Sequence, residues 1–388
     1  MRIAYCTNVR LPSERAHGHQ IAHVCDALVR LGHSVTIFAP FRRNPVSTDY
    51  TTYYGARPEV KLCLLGSFDA INRWFLPGVL GLWVLNVLFR GNLRRELTTE
   101  RFDVLYTRSP ALLSSLLKTS IPVILELHQL PRRGRGGFIS LCKRCAIVSC
   151  LTSVMRDELL AAGVPPNLVV AEGDAVDEAW LSTAFDREAS RAKWEIEKER
   201  FVLGYAGSLS TFGLPKGADQ IVHAVALLRH RGVPATALIA GGPPAAEAVL
   251  RETADALGVV SFIRFLGQLP RSDVPSVLAA SDVLVYPAPA SRHPYFLRDT
   301  SPLKIFEYMA ASRPIVAADL PPLREILHDS MALFYTPGNV ETLAAAVHSV
   351  QKDPSGAVRR AAAARTFVSG RTWTERMRRI FAAARLQS

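Results

Sequence analysis

Four groups of residues in this sequence could do chemistry on a phosphorylated, hydroxyl-rich ligand. The first is the run DTSPLKIFEYMAASRPIVAAD, from Asp299 to Asp319. A short polar turn leads into a helical pattern carrying an acid, Glu307, and Pro314 then opens an apolar strand-like run. A helix start presents unpaired N–H groups and a positive dipole end, which suits a phosphate, and the backbone from Ser301, Pro302 and Leu303 to Lys304 would supply it. A carboxylate two turns on suits sugar hydroxyls. The second group is GYAGSLSTFGLPKG, where Gly204 and Gly207 end a strand without side chains to block a ligand. Lys216 then stands beside Gly217 at a helix start, where a cation meets a diphosphate. The third is a pair of strand-end turns, Gly241-Gly242 and Leu266-Gly267. The fourth gathers polar residues after two early strands: Ser13, Glu14, Arg15, His17 and Gly18 in one loop, and His128 after PVILEL.

The elements that must position these groups are legible as an alternation. Short apolar runs (RIAYCTN, SVTIFAP, VKLCLLG, DVLYTR, PVILELH, AIVSCLT) are separated by amphipathic stretches such as Ile21, Val24, Cys25, Leu28 and Leu31. From about Leu181 the text turns charged, DREASRAKWEIEKER, and then the alternation restarts with FVLGYAGS, ATALIAGG, SFIRFLG, DVLVYP, PIVAAD and ALFYTP. Apolar strands alternating with helices predict parallel sheets covered on both faces. The expected fold is α/β: two Rossmann-like, doubly wound domains facing across a cleft, with ligands at the strand C-termini. The expected division is 1–184 for the first domain, 185–199 for a linker, 200–370 for the second, and 371–388 for a closing helix packed back on the first.

Composition narrows the function classes. At 388 residues, 49% hydrophobic and 21% charged, the chain has enough apolar material for two cores. A formal charge of +12 and a pI near 9.7 favour anionic company. The start, Met1-Arg2 followed by IAYCTN, lacks a signal-peptide pattern, and no apolar run reaches membrane-spanning length. Six cysteines in apolar segments read as reduced core residues, so a cytoplasmic location is expected. Cys142 and Cys145 form one C-x-x-C without a second pair, weak grounds for zinc. There is no Asp-x-Asp motif, so no metal is expected. The basic cluster PRRGRGG (Arg132, Arg133, Arg135) reads as a mobile charged loop; without a recognised module, no nucleic-acid partner is expected. The Arg-rich end from Arg371 to Arg385 reads as the solvated face of the last helix. Asn72–Leu97 is apolar, with Arg90, Arg94 and Arg95 following its aromatic part. It reads either as a buried helix or as a peripheral element at an anionic membrane surface.

These motifs, in this order, resemble the family-four retaining glycosyltransferases of the two-Rossmann GT-B fold, over nearly the whole chain. The carrying strings are IAYCTNVRLPSERAHGHQIAHVCDAL, GYAGSLSTFGLPKGADQIVHAVALL, FLGQLPRSDVPSVLAASDVLVYP, SPLKIFEYMAASRPIVA and TWTERMRRIFAAA. The resemblance implies an EC 2.4 hexosyltransferase-type enzyme moving a sugar from a nucleotide-diphosphate sugar to a sugar or lipid-linked acceptor, in polysaccharide or glycolipid synthesis. It makes Lys216 the pyrophosphate lysine and Glu307 the ribose ligand. The paired acid eight positions earlier becomes Asp299, one methylene shorter than the usual glutamate, at the sugar ring. It puts Gly18 near the diphosphate, Gly241, Leu266 and Gly267 near the base, and His128 near the reacting sugar. Many members carry an arginine where this chain has Ser208, so part of the cationic clamp is missing. An epimerase or phosphorylase on the same fold, or a non-catalytic nucleotide-sugar-binding protein, are the alternatives.

Overall fold

The computed structural model describes residues 1–388 except 67–77, 132, 212, 301–302 and 387–388, and omits the side chains of 78, 79, 82 and 83. The chain forms two compact units: Met1–Gly173 with Trp373–Ser388, and Asp174–Thr372.

In the first unit the strands are β1 (Arg2–Cys6), β2 (Ser34–Pro40), β3 (Lys61–Leu65), β4 (Val104–Thr107), β5 (Val123–Leu127), β6 (Ile147–Cys150) and β7 (Val169–Ala171). Among the described residues they make one parallel sheet in the order β3-β2-β1-β4-β5-β6-β7. The central strands are buried at every position, as expected of strands covered on both faces. The helix Ala16–Arg30 covers one face through Ile21, Val24, Cys25 and Leu28, which recur at helical spacing and are fully buried.

The second unit holds β8 (Phe201–Ala206), a hairpin of β9 (Ser210–Thr211) and β10 (Leu214–Pro215), β11 (Ala235–Ala240), β12 (Ile263–Gly267), β13 (Val283–Tyr286), β14 (Ile315–Ala318) and β15 (Leu333–Tyr335). Its sheet is again parallel, ordered β12-β11-β8-β13-β14-β15. Strand order reverses at β8, so loops after β8 and β13 diverge and leave room for a ligand beside them.

Several expectations change here. The units meet between Gly173 and Asp174, not near residue 184. The charged segment read as a linker contains the helix Arg187–Lys193, whose N-cap Asp186 accepts from the Ala189 amide. It is anchored: Arg191 is 5% exposed and donates to the carbonyls of Ala280, Lys198 and Arg200 and to Asp282 at 2.6 Å. A charged stretch advertises exposure on average, but one inward arginine with a full set of acceptors fastens it. The closing helix, Trp373–Ala383, belongs to the first unit and packs on the helix Ala16–Arg30. Its arginines are not all solvated: Arg376 is fully buried, because it shares the helical face of Trp373, Met377, Ile380 and Phe381.

The basic cluster expected as a mobile loop is partly helical. Gly134, in the left-handed region, precedes the helix Arg135–Cys142, and Arg135 pairs with Glu158 at 2.5 Å; Arg132 lies outside the described residues. Cys142, Cys145 and Cys150 are buried in the first core. Of the segment Asn72–Leu97, residues 72–77 lie outside the described residues, and the rest is in the helix Gly78–Thr99. That helix is not buried all round. Leu85, Phe89, Leu93 and Leu97 face the core, while Leu80, Val87 and Leu88 are 48%, 43% and 45% exposed. Among the described residues no helix is long and apolar enough to cross a membrane.

The Arg191 anchor gives a direct test. Asp282 also accepts from the Val202 amide at 2.8 Å and from Arg187 at 2.7 Å. Asp282→Ala leaves the buried guanidinium uncompensated and should cost about 3–5 kcal/mol in urea denaturation. A loss of about 0.5 kcal/mol or less, as at an ordinary surface position, would show that the anchor is dispensable.

Candidate functional site

In the second unit, glycines close three neighbouring strands. The Gly207 amide donates to Ala240 O, the Gly241 amide to Gly267 O at 2.7 Å, and the Leu209 amide to Gly242 O at 2.8 Å. Gly207, Gly241 and Gly267 are thereby laced into one rim at the strand C-termini, with Leu266 packed on the core beneath. A Cβ on Gly207 would stand 3.0 Å from the Lys304 ammonium, so the lysine occupies the space that a side chain there would fill.

The hairpin after β8 returns the chain to the same rim and delivers Lys216-Gly217 to the helix Asp219–His230. Gln220, 4% exposed, fixes this turn: its Nε2 donates to Ala288 O at 2.9 Å, and its Oε1 accepts from the Tyr335 hydroxyl and the Gly338 amide. Gly217 has a φ of +83°. The Lys216 ammonium lies 5.7 Å from the centroid of the Tyr295 ring.

Lys304, in the first turn of the helix Leu303–Ala310, extends its ammonium between the rings of Tyr205 and Tyr286, 4.0 and 5.0 Å from their centroids. It donates to the Tyr205 hydroxyl at 2.9 Å, which in turn donates to Ser208 O at 2.6 Å. Burial, and then repulsion from Lys216, hold the Lys304 ammonium well below the usual lysine range. Two lysines are thus held on one rim, the buried one with its charged form disfavoured. Ser208 is exposed, with its hydroxyl on Ser210 O. Ser301 and Pro302, expected to add amides at this helix start, lie outside the described residues.

One turn beyond Lys304, the Glu307 carboxylate is nearly buried and pairs with Arg271 at 2.9 Å. Burial raises its pKa, and the guanidinium opposes that shift. Arg271 in turn stands 5.9 Å from the Trp180 ring. Asp299 ends a single π-helical turn, Tyr295–Asp299, and is buried against the guanidinium of Arg298.

In the first unit, Gly18 is not in the loop after β1, where the sequence suggested it; it lies in the first turn of the helix Ala16–Arg30. An added Cβ would fall 2.2 Å from the Tyr54 hydroxyl and 2.8 Å from Ser13 O. Tyr54 accepts from the Ser13 amide and donates to Ser13 O, tying the loop before this helix to the short helix Tyr50–Tyr54. Glu14 pairs with Arg10. Burial, aided by Arg108 and Arg15, pulls the His17 ring down to about 4. His128 follows β5, and its Nε2 meets Glu126 at 2.6 Å. Burial and Arg108 pull this ring down to about 4 as well, although Glu126 opposes them.

Reasoning from sequence missed Tyr205, Arg271, Tyr295 and Arg298 in the second unit, and Gln20, Tyr106, Arg108, Glu126 and Arg376 in the first. Glu126 did carry a signal: an acid in the middle of the apolar run VILEL has to be paired. The tyrosines gave none, since aromatic residues in strands are ordinary core.

Residues 18–172 match the family model described as Glycosyltransferase Family 4, and residues 200–353 match Glycosyl transferases group 1. Over 368 residues the chain is 25% identical to glycogen synthase from Mycobacterium tuberculosis, spanning 90% of this chain and 85% of that one. Sucrose-phosphate synthase from Thermosynechococcus elongatus superposes with a TM-score of 0.77 at 16% identity, covering 99% of this chain and 98% of that chain. HepE from Anabaena, solved in complex with UDP, gives 0.74 at 18% identity over 98% of each chain. These solved structures share the fold of two parallel-sheet α/β domains.

The turn that carries Lys216 is the tightest part of the rim. A Cβ on Gly217 would approach Ala288 C to 2.9 Å and Pro289 N to 3.0 Å. Gly217→Ala should therefore lower stability by about 1–3 kcal/mol, through strain at positive φ and the backbone clash. An unchanged urea midpoint would show that the turn has slack.

Proposed function

This chain belongs to the family-four, group 1 glycosyltransferases of GT-B fold, and from that premise we propose that it moves a sugar from a nucleotide-diphosphate donor to an acceptor hydroxyl with retention of anomeric configuration. The observation that carries the reading is the pair of lysines on one glycine rim, Lys216 over Tyr295 and Lys304 between Tyr205 and Tyr286. Two ammonium groups that repel each other, one of them buried, are stabilised when a diphosphate arrives between them. Lys304 offsets the cation missing at Ser208. Likeness to a protein solved with UDP supports a nucleotide-linked donor.

Each residue then has a task. Lys216 and Lys304 take the diphosphate, with amides of the helix start from Ser301, Pro302 and Leu303 beside them. Glu307, kept ionised against burial by Arg271, accepts hydrogen bonds from the ribose hydroxyls. Gly241, Leu266 and Gly267 leave room for the base, Gly18 for the diphosphate, and Asp299 and His128 border the sugar. In the transfer itself the bond from the anomeric carbon to the diphosphate oxygen breaks. The acceptor oxygen bonds the same face, and its proton passes to the departing diphosphate. The protein supplies position and stabilises the charge growing on the leaving group. With two cations in place and no Asp-x-Asp motif in the sequence, the reaction proceeds without a metal ion.

A second observation bears on the acceptor. Leu80, Val87 and Leu88 are exposed on the helix Gly78–Thr99, and Arg94 and Arg95 are exposed further along it. Apolar side chains followed by arginines suit an anionic bilayer interface. The enzyme therefore works peripherally at the inner face of the cell membrane, on a lipid-linked or surface-polysaccharide acceptor.

In excess chelator, the wild type should convert donor and acceptor to a product whose anomeric configuration, read by proton NMR, matches the donor. Inversion, or loss of turnover to the chelator, would overturn the mechanism. Lys216→Ala should weaken kcat/KM by about 10- to 100-fold, the worth of one charged hydrogen bond. Unchanged kinetics would remove Lys216 from the site. Sedimentation with anionic but not neutral vesicles should be lost in Leu80→Ser/Leu88→Ser, and absence of binding to either vesicle by the wild type would end the membrane reading.

A further inference from the structure

Strand β5 reads VILEL, and all five residues are buried. A carboxylate in that position is tolerated only when each lone pair is met by a donor. Glu126, at 0% exposure, meets four. Its Oε1 accepts from Gln20 Nε2 and lies 2.6 Å from His128 Nε2. Its Oε2 accepts from the Tyr106 hydroxyl and from Arg376 Nη1, the latter at 3.1 Å. Arg376 is itself fully buried and pinned by Gly173 O at 2.6 Å and Glu172 O at 3.1 Å. It has no way to turn from the carboxylate.

Three nitrogen and oxygen atoms meet at one corner of this cluster, since Gln20 Nε2 also lies 2.9 Å from His128 Nε2. Arg108 donates to Gln20 Oε1, so the amide nitrogen of Gln20 faces Glu126. Arg376 carries donors only. A carboxylate surrounded in this way is ionised, and Arg376, His128 and Tyr106 outweigh burial to hold its pKa well below the usual range. Of the two neighbours of His128 Nε2, the ionised Glu126 oxygen at 2.6 Å is nearer than the Gln20 amide nitrogen at 2.9 Å. That oxygen repels a ring lone pair, which favours the proton on Nε2. Among the described residues Nδ1 has no hydrogen-bond partner, and the His128 side chain is 21% exposed.

We infer that Glu126, clamped by Arg376 of the last helix, is a positioning residue for His128: it holds the ring in the Nε2–H tautomer and leaves Nδ1 as the acceptor for a sugar hydroxyl. This rests on the reading of His128 as a group bordering the reacting sugar. The fully buried ion pair is otherwise hard to account for, because apolar residues of similar size would serve the core as well or better. Its place one residue from the strand end, directly behind a partly exposed imidazole, gives it an orienting task. Since Arg376 lies beyond the second unit in the chain, the acceptor-side histidine is completed only when the closing helix has docked.

The test begins with nitrogen NMR of the whole wild-type protein, with His128 assigned by its loss in His128→Ala. The Nε2–H tautomer is expected; an Nδ1–H tautomer or an imidazolium at neutral pH overturns the inference. Glu126→Gln sharpens it. With Arg376 and Tyr106 donating to one side, the new amide turns its oxygen to them and its NH2 to the side of His128 and Gln20. The Gln20 nitrogen then has to draw back, and Nε2 accepts with the proton on Nδ1. The expected result is a flipped tautomer, kcat lowered by about 5- to 10-fold as one hydroxyl hydrogen bond is lost, and a donor KM close to wild type. Should that variant not fold, Glu126→Leu/Arg376→Met replaces the pair by apolar residues and should fold while losing kcat to the same degree. Turnover within about twofold of wild type in either variant, below the loss of one hydrogen bond, makes the pair purely structural. Normal turnover in His128→Ala removes His128 from the site but leaves the tautomer result standing, which separates the failure of the site reading from the failure of this inference.

Discussion

The buried ion pair between Glu126 and Arg376 is the interaction on which the first unit's functional edge depends. Both groups are without solvent, one in a central strand and the other in the last helix of the chain. Such a pair returns little net stability over an apolar alternative, yet it punishes the loss of either partner. Its effect is therefore to couple. The strand that delivers His128, the helix that carries Gln20 and Gly18, the strand that supplies Tyr106, and the closing helix all donate to one carboxylate. Displacing any one of them leaves a charge or a donor unpaired in the interior.

The second unit is organised by a complementary electrostatic tension. Lys304 is buried among tyrosines with Lys216 near enough to depress it further, while Glu307 one turn away is raised by its own burial and steadied by Arg271. Glycines at the ends of β8, β11 and β12 keep the rim free of side chains, and Gln220 locks the lysine turn to the strands beside it. An arrangement with excess positive charge toward the rim and a carboxylate set behind it fits a ligand that is anionic at one end and hydroxylated at the other. The proposed donor has that form.

Much of the architecture was legible from the alternation of short apolar runs with helical patterns. Every run read as a strand forms one, because a parallel strand buried on two faces is apolar at nearly every position, while the three-residue edge strand β7 (Val169–Ala171) was too short to be read. The failures share a cause. The charged text from Asp186 to Arg200 read as a linker, yet Arg191 folds it onto Asp282. The arginines after Arg371 read as solvated, yet Arg376 lies on the apolar face of its helix. Composition reports the average environment of a segment, and one inward charge with a distant partner is invisible to it. Asn72–Leu97 left a buried helix and a membrane-surface element open, and in its described part Leu85 and Phe89 face the core while Leu80, Val87 and Leu88 are about half exposed.

For the site, local chemistry and distant chemistry divide cleanly. The sequence by itself determined that glycine turns would end the strands, that Lys216 would sit at a turn before a helix, and that Glu307 would follow a helix start. Each of these depends on neighbours within a dozen residues, through backbone dihedrals and helical spacing. Only the tertiary structure decided which groups face them. Lys304 lies against Tyr205 across 99 residues, and Glu126 meets Arg376 across 250. Such pairings are set by how sheets and helices pack. They fix the protonation and direction of the side chains, on which the chemistry of the site depends.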